Sequence, residues 1–147
     1  MKSINKVYIS GALTGVENIE SIKEFYNAIG NLCEKMGLSG YIPHLNTDPT
    51  LHPDVSVRQV FETDKYNVST SDLVIAYVGI SSLGVGMELA YADINSIPVI
   101  LIYEQEKQIS RFPRGIPSVV AEVPFENYED ALIKIKTVLD SLILPKA

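Results

Sequence analysis

The chain has 147 residues, of which 46% are hydrophobic, with one cysteine and a formal net charge of −6. That length holds one ordinary core, so a single domain over residues 1–147 is expected. The acidic balance argues against a nucleic-acid polymer as partner, since such binding rests on Lys and Arg neutralising phosphates, but a free nucleotide can still be held by helix N-termini and hydroxyls. Cys33 cannot form an internal disulfide, and its place on an apolar helical stripe makes it a core residue of a reducing compartment. Met1 to Lys6 runs straight into a strand rather than a signal-peptide apolar region. No apolar run approaches the ~20 residues of a membrane helix, so a cytoplasmic protein off the membrane is expected.

In chain order, Lys6–Ser10 reads as a first strand, followed by a loop from Gly11 to Gly15. Ile19, Ile22, Phe25, Tyr26, Ile29, Leu32, Cys33 and Met36 recur every three or four positions, the mark of an amphipathic helix that Gly37 ends. Tyr41–Pro43 is a weak second strand, and His44 to Asp54 is a loop long enough to be functional. Val57, Val60, Phe61, Asp64 and Val68 share one side of a second helix, where Asp64 is an acid among apolar neighbours. Leu73–Val78 is the third strand, Gly84–Asn95 the third helix and Val99–Tyr103 the fourth strand. A charged, proline-bearing loop from Glu104 to Pro117 leads to a short fifth strand, Val119–Val123, and a closing amphipathic helix, Tyr128–Leu142. This alternation predicts an α/β fold with a doubly wound parallel sheet in three layers.

The run from Ser81 to Ala90 carries the most chemistry. It places Gly84, Gly86 and Glu88 between the carboxyl end of a buried strand and the start of a helix, the edge where open α/β sheets bind ligands. Glycine admits a close ligand, and first-turn amides favour an ionised carboxylate. From spacing alone, Glu88 either complements the helix dipole or is a nucleophile open to a ligand. The ends of the first, third and fourth strands converge near the switch point, and the second helix can bring Asp64 to the same rim. Two carboxylates on separate elements are what glycosyl-bond cleavage requires: one attacks the sugar carbon, and the other protonates the leaving group and then activates water. Asp64 could equally be a paired structural acid, and Tyr8 an ordinary strand residue. No metal-ligand spacing involves His44, His52 or Cys33. Gly84 and Gly86 do not make a dinucleotide fingerprint, because a third glycine and a ribose-binding acid are missing. Neither metal nor cofactor is expected.

Tyr8-Ile9-Ser10-Gly11, Asp64 eight residues before Asp72, Ser71 to Ala76 and Gly84 to Leu89 together resemble the nucleoside 2-deoxyribosyltransferase superfamily. The order and spacing match from about Lys6 to Gly115, and Ser82 to Leu89 is most similar to the 2'-deoxynucleoside 5'-phosphate N-hydrolases. The resemblance implies a flavodoxin-like five-stranded sheet, a homodimer with shared active sites and a covalent glycosyl-enzyme. It puts Glu88 on the nucleophile, Asp64 on the general acid and Tyr8 on the tyrosine that positions the nucleophile. Gly11, Thr14, Ser82, Gly84, Gly86 and Ser110 fall on substrate-binding positions, Ser110 reaching the neighbouring subunit's site. Asp72 matches a family acid that reads as a structural cap. Where the transferases carry an aspartate for the sugar 5'-hydroxyl, this chain has Ser82, whose hydroxyl can donate to a phosphate; an aspartate would repel one. Ser110 likewise replaces an asparagine. Both changes favour a nucleoside 5'-monophosphate as substrate. Against this, Ser82 could simply satisfy local backbone. The hydrolases' first loop usually holds a serine and an arginine, where this chain has Ala12 and Thr14. The alternatives are a base-exchanging deoxyribosyltransferase and a nucleotide-binding module without turnover. The signature of the cytokinin-activating phosphoribohydrolases is absent.

Overall fold

The computed structural model describes residues 2–143, so the expected domain span of 1–147 extends past the described residues at both ends. Within them the chain runs β1 (Lys6–Ser10), α1 (Ile19–Lys35), β2 (Ser39–Tyr41), α2 (His44–Thr47), α3 (Val57–Ser69), β3 (Leu73–Tyr77), α4 (Leu83–Ile94), β4 (Val99–Glu104), α5 (Arg111–Arg114), β5 (Val119–Phe125) and α6 (Tyr128–Leu142). The five strands pair in parallel in the order β2-β1-β3-β4-β5, the flavodoxin-like α/β arrangement expected.

The two-residue period of each strand sorts its side chains between two cores. Val7, Ile9, Leu73, Ile75, Ile100 and Ile102 face the layer formed by Phe25 and Ile29 of α1 and Ile135 and Leu139 of α6. Tyr8, Val74, Ala76, Val99 and Leu101 face the other way, toward Val68 of α3 and Val85, Leu89 and Ala92 of α4. Because β3 is central and covered on both faces, all five of its residues are buried, which is why it reads as a continuous apolar run. Each of Leu73, Val74 and Ile75 taken fully out of water contributes about 1.5–3 kcal/mol.

Local signals set the ends of the helices. Ser56 and Gln59 form a reciprocal capping box at the start of α3. Gly37, at φ +80°, turns the chain sharply after α1. The turn is tight enough that the Ser39 N–H already donates to the Asn5 carbonyl at 2.8 Å. Hence β2 begins and ends two residues before the expected Tyr41–Pro43. Pro43 lacks an N–H for the ladder, and at φ −54° and ψ −41° it opens the helical turn α2 inside what was expected to be pure loop. The loop expected from Glu104 to Pro117 likewise contains α5. The strand expected to stop at Val123 continues to the fully buried Phe125, whose carbonyl accepts from the Gln105 N–H at 2.9 Å. The expected apolar side of α3 is only partly covered: Val68 is buried, whereas Val57 is 89% exposed.

Asp72 ties this framework together. Its Oδ2 accepts the backbone N–H groups of Asn5 (3.0 Å) and Lys6 (2.9 Å), and its Oδ1 meets the Lys2 ammonium at 2.8 Å. Burial pushes its carboxyl up, but the Lys2 ammonium and the two N–H groups outweigh this and hold it below the usual range. The cap therefore clamps the start of β1 to the start of β3.

Candidate active site

The strands β1 and β3 are neighbours, yet α1 leaves toward one face of the sheet and α4 toward the other. The crevice at their carboxyl ends is the topological switch point. From β1, Tyr8 and Ser10 are two residues apart and so share a face. From α4, Glu88 reaches down to them, and the Ser10 hydroxyl donates to Glu88 Oε1 at 3.1 Å. From α3 comes Asp64, toward whose Oδ1 the Thr47 hydroxyl points at 3.4 Å while it donates at 3.0 Å to the Pro43 carbonyl. The edge-on contact of Phe61 with Tyr91, 6.4 Å between ring centroids, braces α3 against α4 beside this site.

Glu88 lies beyond the first turn of α4, in which there is no acidic residue. This corrects the expectation of a carboxylate held by first-turn amides, because the macrodipole effect fades within that turn. Its setting is one of burial. Desolvation raises the Glu88 carboxyl to about 7, with the Asp64 charge adding to the rise and the Tyr8 and Ser10 hydroxyls opposing it. Desolvation also raises Asp64, to about 6, against the pull of the Thr47 hydroxyl. Burial thus keeps both carboxyls partly protonated near neutral pH. Glu88 Oε2 and the Tyr8 hydroxyl are both buried without a completed hydrogen bond. Burial first, then the charges of Glu88 and Asp64, pushes the Tyr8 phenol far above its ordinary range.

Of the residues singled out in the sequence, Tyr8, Asp64 and Glu88 converge. Ser82, Gly86 and Ser110 instead line an adjoining groove of about 1050 Å³ between α4 and the segment from Gln108 to Pro117. Ser82 is the N-cap of α4, its Oγ accepting from the Val85 N–H at 3.3 Å, so its own hydroxyl proton remains free to donate. Gly84 and Gly86 keep the start of α4 open: a Cβ on Gly86 would meet nothing within 4 Å, and one on Gly84 only the Ser82 Oγ at 3.8 Å. Gly11 has a different reason to be glycine, since a Cβ there would overlap the ring of Tyr26, whose hydroxyl donates to the Ala12 carbonyl at 2.9 Å. Thr14 is exposed in the turn after β1, next to Gly15 at φ +72°. The groove carries large exposed apolar side chains, among them Leu83, Met87, Ile94 and Phe112. Arg114 is engaged with Glu122 at 2.7 Å, whereas Arg111 makes no ion pair among the described residues.

Sequence reading missed Ser10, Thr47 and Tyr41. Ser10 follows from the two-residue period, and Tyr41 from the register that pairs it with Tyr8. Thr47 carries no signal, because the helical turn that aims it was read as loop. Behind that turn, Asp48 is buried and paired with the Lys23 ammonium, which pins the segment to α1. Among the described residues no group of three or more His, Cys, Asp and Glu side chains is arranged to hold a metal ion, and no helix is long and apolar enough to cross a membrane.

No protein-family model matches the chain. A protein of Thermofilum pendens with the name "Putative 2'-deoxynucleoside 5'-phosphate N-hydrolase 1" is 27% identical over 139 residues, which is 91% of this chain and 94% of that protein. Among solved structures, a CMP N-glycosidase of Clostridium botulinum superposes with a TM-score of 0.69 at 18% identity, over 90% of this chain and 99% of its own. A 2-deoxyribosyltransferase of Bacillus psychrosaccharolyticus gives 0.64 at 21% identity, over 86% and 90%. The chain is a distant homologue of the proteins that carry the name 2'-deoxynucleoside 5'-phosphate N-hydrolase 1, and it shares its fold with the solved 2-deoxyribosyltransferase.

Proposed function

We propose that this protein is a nucleotide N-glycosidase, which hydrolyses the N-glycosidic bond of (2'-deoxy)ribonucleoside 5'-monophosphates and releases free base and sugar 5-phosphate. The observation that carries the reading is that two carboxyl groups from separate helices, Glu88 and the half-buried Asp64, are both raised by desolvation, with Glu88 in the field of Asp64 and accepting the Ser10 hydroxyl. Glu88 attacks C1' as Asp64 gives its proton to the departing base. Water then attacks C1' of the glycosyl-enzyme, Asp64 takes up its proton, and Glu88 leaves. Tyr8 and Ser10 orient the nucleophile.

The 5'-phosphate is received by the Ser82 hydroxyl and the first-turn amides of α4, a setting that suits an anion. Ser82 and Glu88 are six residues apart on one helix, or about 9 Å along its axis. Gly84 and Gly86 admit the substrate between them. Gly11 and Thr14 border the site from the loop after β1, Thr14 offering a hydroxyl in place of the missing guanidinium. The apolar groove beside α4 is covered by a second copy of the chain, and through it Ser110 enters the partner subunit's site. The composite site would then gain a cation from Arg111.

The test is a panel of nucleosides and their 5'-monophosphates, assayed for free base by chromatography with and without an added second base. Base release from monophosphates, independent of the second base, is expected. Equal rates on nucleosides and monophosphates, or release only when a second base is supplied, would replace the hydrolase with a base-exchanging transferase. Tight binding without release would make the protein a nucleotide-binding module.

A further inference from the structure

The two segments that wall the groove leave neighbouring strands. Val78 to Ser82 runs from the end of β3 to the N-cap of α4, and Gln105 to Ser110 runs from the end of β4 to α5. Gly79 and Ser82 line the groove on one side, Ser110 and Arg111 on the other. Three side chains join these segments on the sheet face opposite α4. Tyr77, buried in the layer of α1 and α6, donates its hydroxyl to the Glu104 carboxylate, with Oε1 at 2.6 Å and Oε2 at 2.8 Å. The Lys107 N–H closes a turn onto the Glu104 carbonyl at 3.0 Å, which brings the Lys107 side chain back over the strand ends. There its ammonium pairs with Glu104 Oε2 at 2.5 Å and donates to the Gly79 carbonyl at 3.0 Å. A Cβ on Gly79 would overlap the side chains of Glu104 and Tyr77, so only glycine lets the cluster lie this close to the backbone.

What this cluster supplies is geometry more than stability. The Lys107 side chain is 38% exposed and that of Glu104 18%, and an ion pair so open to solvent adds little to the folding free energy. Its parts are nonetheless fixed. Tyr77 is wedged between Phe25, which it meets edge-on at 6.1 Å between ring centroids, and Phe125 at 6.4 Å. Burial, then the hydrogen bond to Glu104, pushes its phenol far above the ordinary range, so it stays a donor. Through Glu104 the ammonium is tied to the end of β4, and through the Gly79 carbonyl to the segment that delivers Ser82 three residues later. Building on the 5'-phosphate reading above, we infer that Lys107 is a positioning residue for Ser82: by holding Gly79 to the end of β4, it sets the spacing of the two walls that receive the phosphate. Tyr77 faces the opposite core from Tyr8, so the clamp stands apart from the carboxyls that break the glycosidic bond. It therefore governs how the phosphate is held and leaves the bond-breaking step alone.

Lys107→Met tests this, because it keeps the apolar stem and removes the ammonium. Three readouts are taken on the full chain: NMR relaxation of the amides in the two segments, binding of inorganic phosphate followed at the Val85 and Gly86 amides, and turnover of a monophosphate and its nucleoside. Both segments should gain motion together. Phosphate affinity and the KM for the monophosphate should each worsen by roughly 10-fold, with kcat and the kinetics on the nucleoside little changed. Lys107→Arg, which keeps a cation with several donors, should restore both. In a Ser82→Ala background Lys107→Met should have little further effect on phosphate binding. Unmoved segments, or phosphate and monophosphate held as tightly as by the parent, would overturn the inference. Loosened segments with weakened phosphate binding, in a protein that releases no base, would uphold it and sink the proposed reaction alone. A parent chain that binds neither phosphate nor monophosphate would instead remove the phosphate reading, and the role of Lys107 toward Ser82 with it.

Discussion

Glu88 is asked to be buried and to be a nucleophile, and these demands conflict in a measurable way. Its folded pKa of about 7 lies above that of an unfolded glutamate, so between the two values the folded chain holds the proton that the unfolded chain has lost. Stability from this group is complete at low pH and is lost as pH rises through about 7. Glu88→Gln should therefore abolish base release and yet stabilise the fold, by on the order of 3 kcal/mol at about pH 8 and by almost nothing at about pH 4. Denaturant melts at the two pH values check this; a variant less stable than the parent at high pH would show that the carboxylate is held by contacts rather than merely buried. The same pair sets the rate profile. Catalysis needs one proton on the pair, so kcat/KM should trace a bell with limbs near 6 and 7 that belong to the two carboxyls jointly. A flat profile across that window would remove Glu88 and Asp64 from the chemistry.

At the scale of elements, the start of α4 combines two roles in Ser82, as N-cap and as phosphate donor. Ser82→Ala removes both and should cost ~0.5–2 kcal/mol of stability, together with activity on monophosphates. Ser82→Asp keeps a capping oxygen, so stability should hold while activity on monophosphates falls further through like-charge repulsion, with nucleosides spared. If thermal melting and monophosphate turnover decline in step across the two variants, Ser82 is a cap and nothing else. How legible these elements were depended on which force decides them. The strands β1 and β3 were read within one residue, because a central parallel strand must be apolar throughout and can end only where its ladder does. Strand β2 slid by two residues because hydrophobicity pointed at Ile42 and Pro43, whereas a missing N–H and a left-handed glycine fixed the ends. Glu88 and Asp64 stood out by their positions in the sequence, and the resemblance to a known pattern gave their roles and that of Tyr8. Tyr41 and Thr47 were not, since pairing between strands and the aim of one helical turn are set by tertiary contacts.

At the scale of the whole molecule, one side of α4 presents apolar side chains to solvent while the opposite side completes the site. Leu83, with 92% of its surface exposed, and Phe112, with 90%, would be hard to retain on a lone subunit. A homodimer in sedimentation analysis is the expected outcome, and activity should depend on it. Ser110→Ala and Glu88→Ala subunits, each impaired alone, should recover part of the activity when mixed, because one composite site in the heterodimer then carries neither change. Mixed subunits that exchange freely yet recover nothing would place Ser110 outside the partner's site.

The alternation along β1 has a consequence for how such a protein can change over time. Val7 and Ile9 belong to one core, while Tyr8 and Ser10 belong to the other face and the site. Inserting or deleting a single residue in this strand would exchange the two sets, carrying the phenol into the layer of α1 and α6 and a valine toward the carboxylates. Chemistry and architecture are thus written in the same parity. Lineages can adjust the catalytic groups one substitution at a time, but they cannot shift the frame of this strand without losing both.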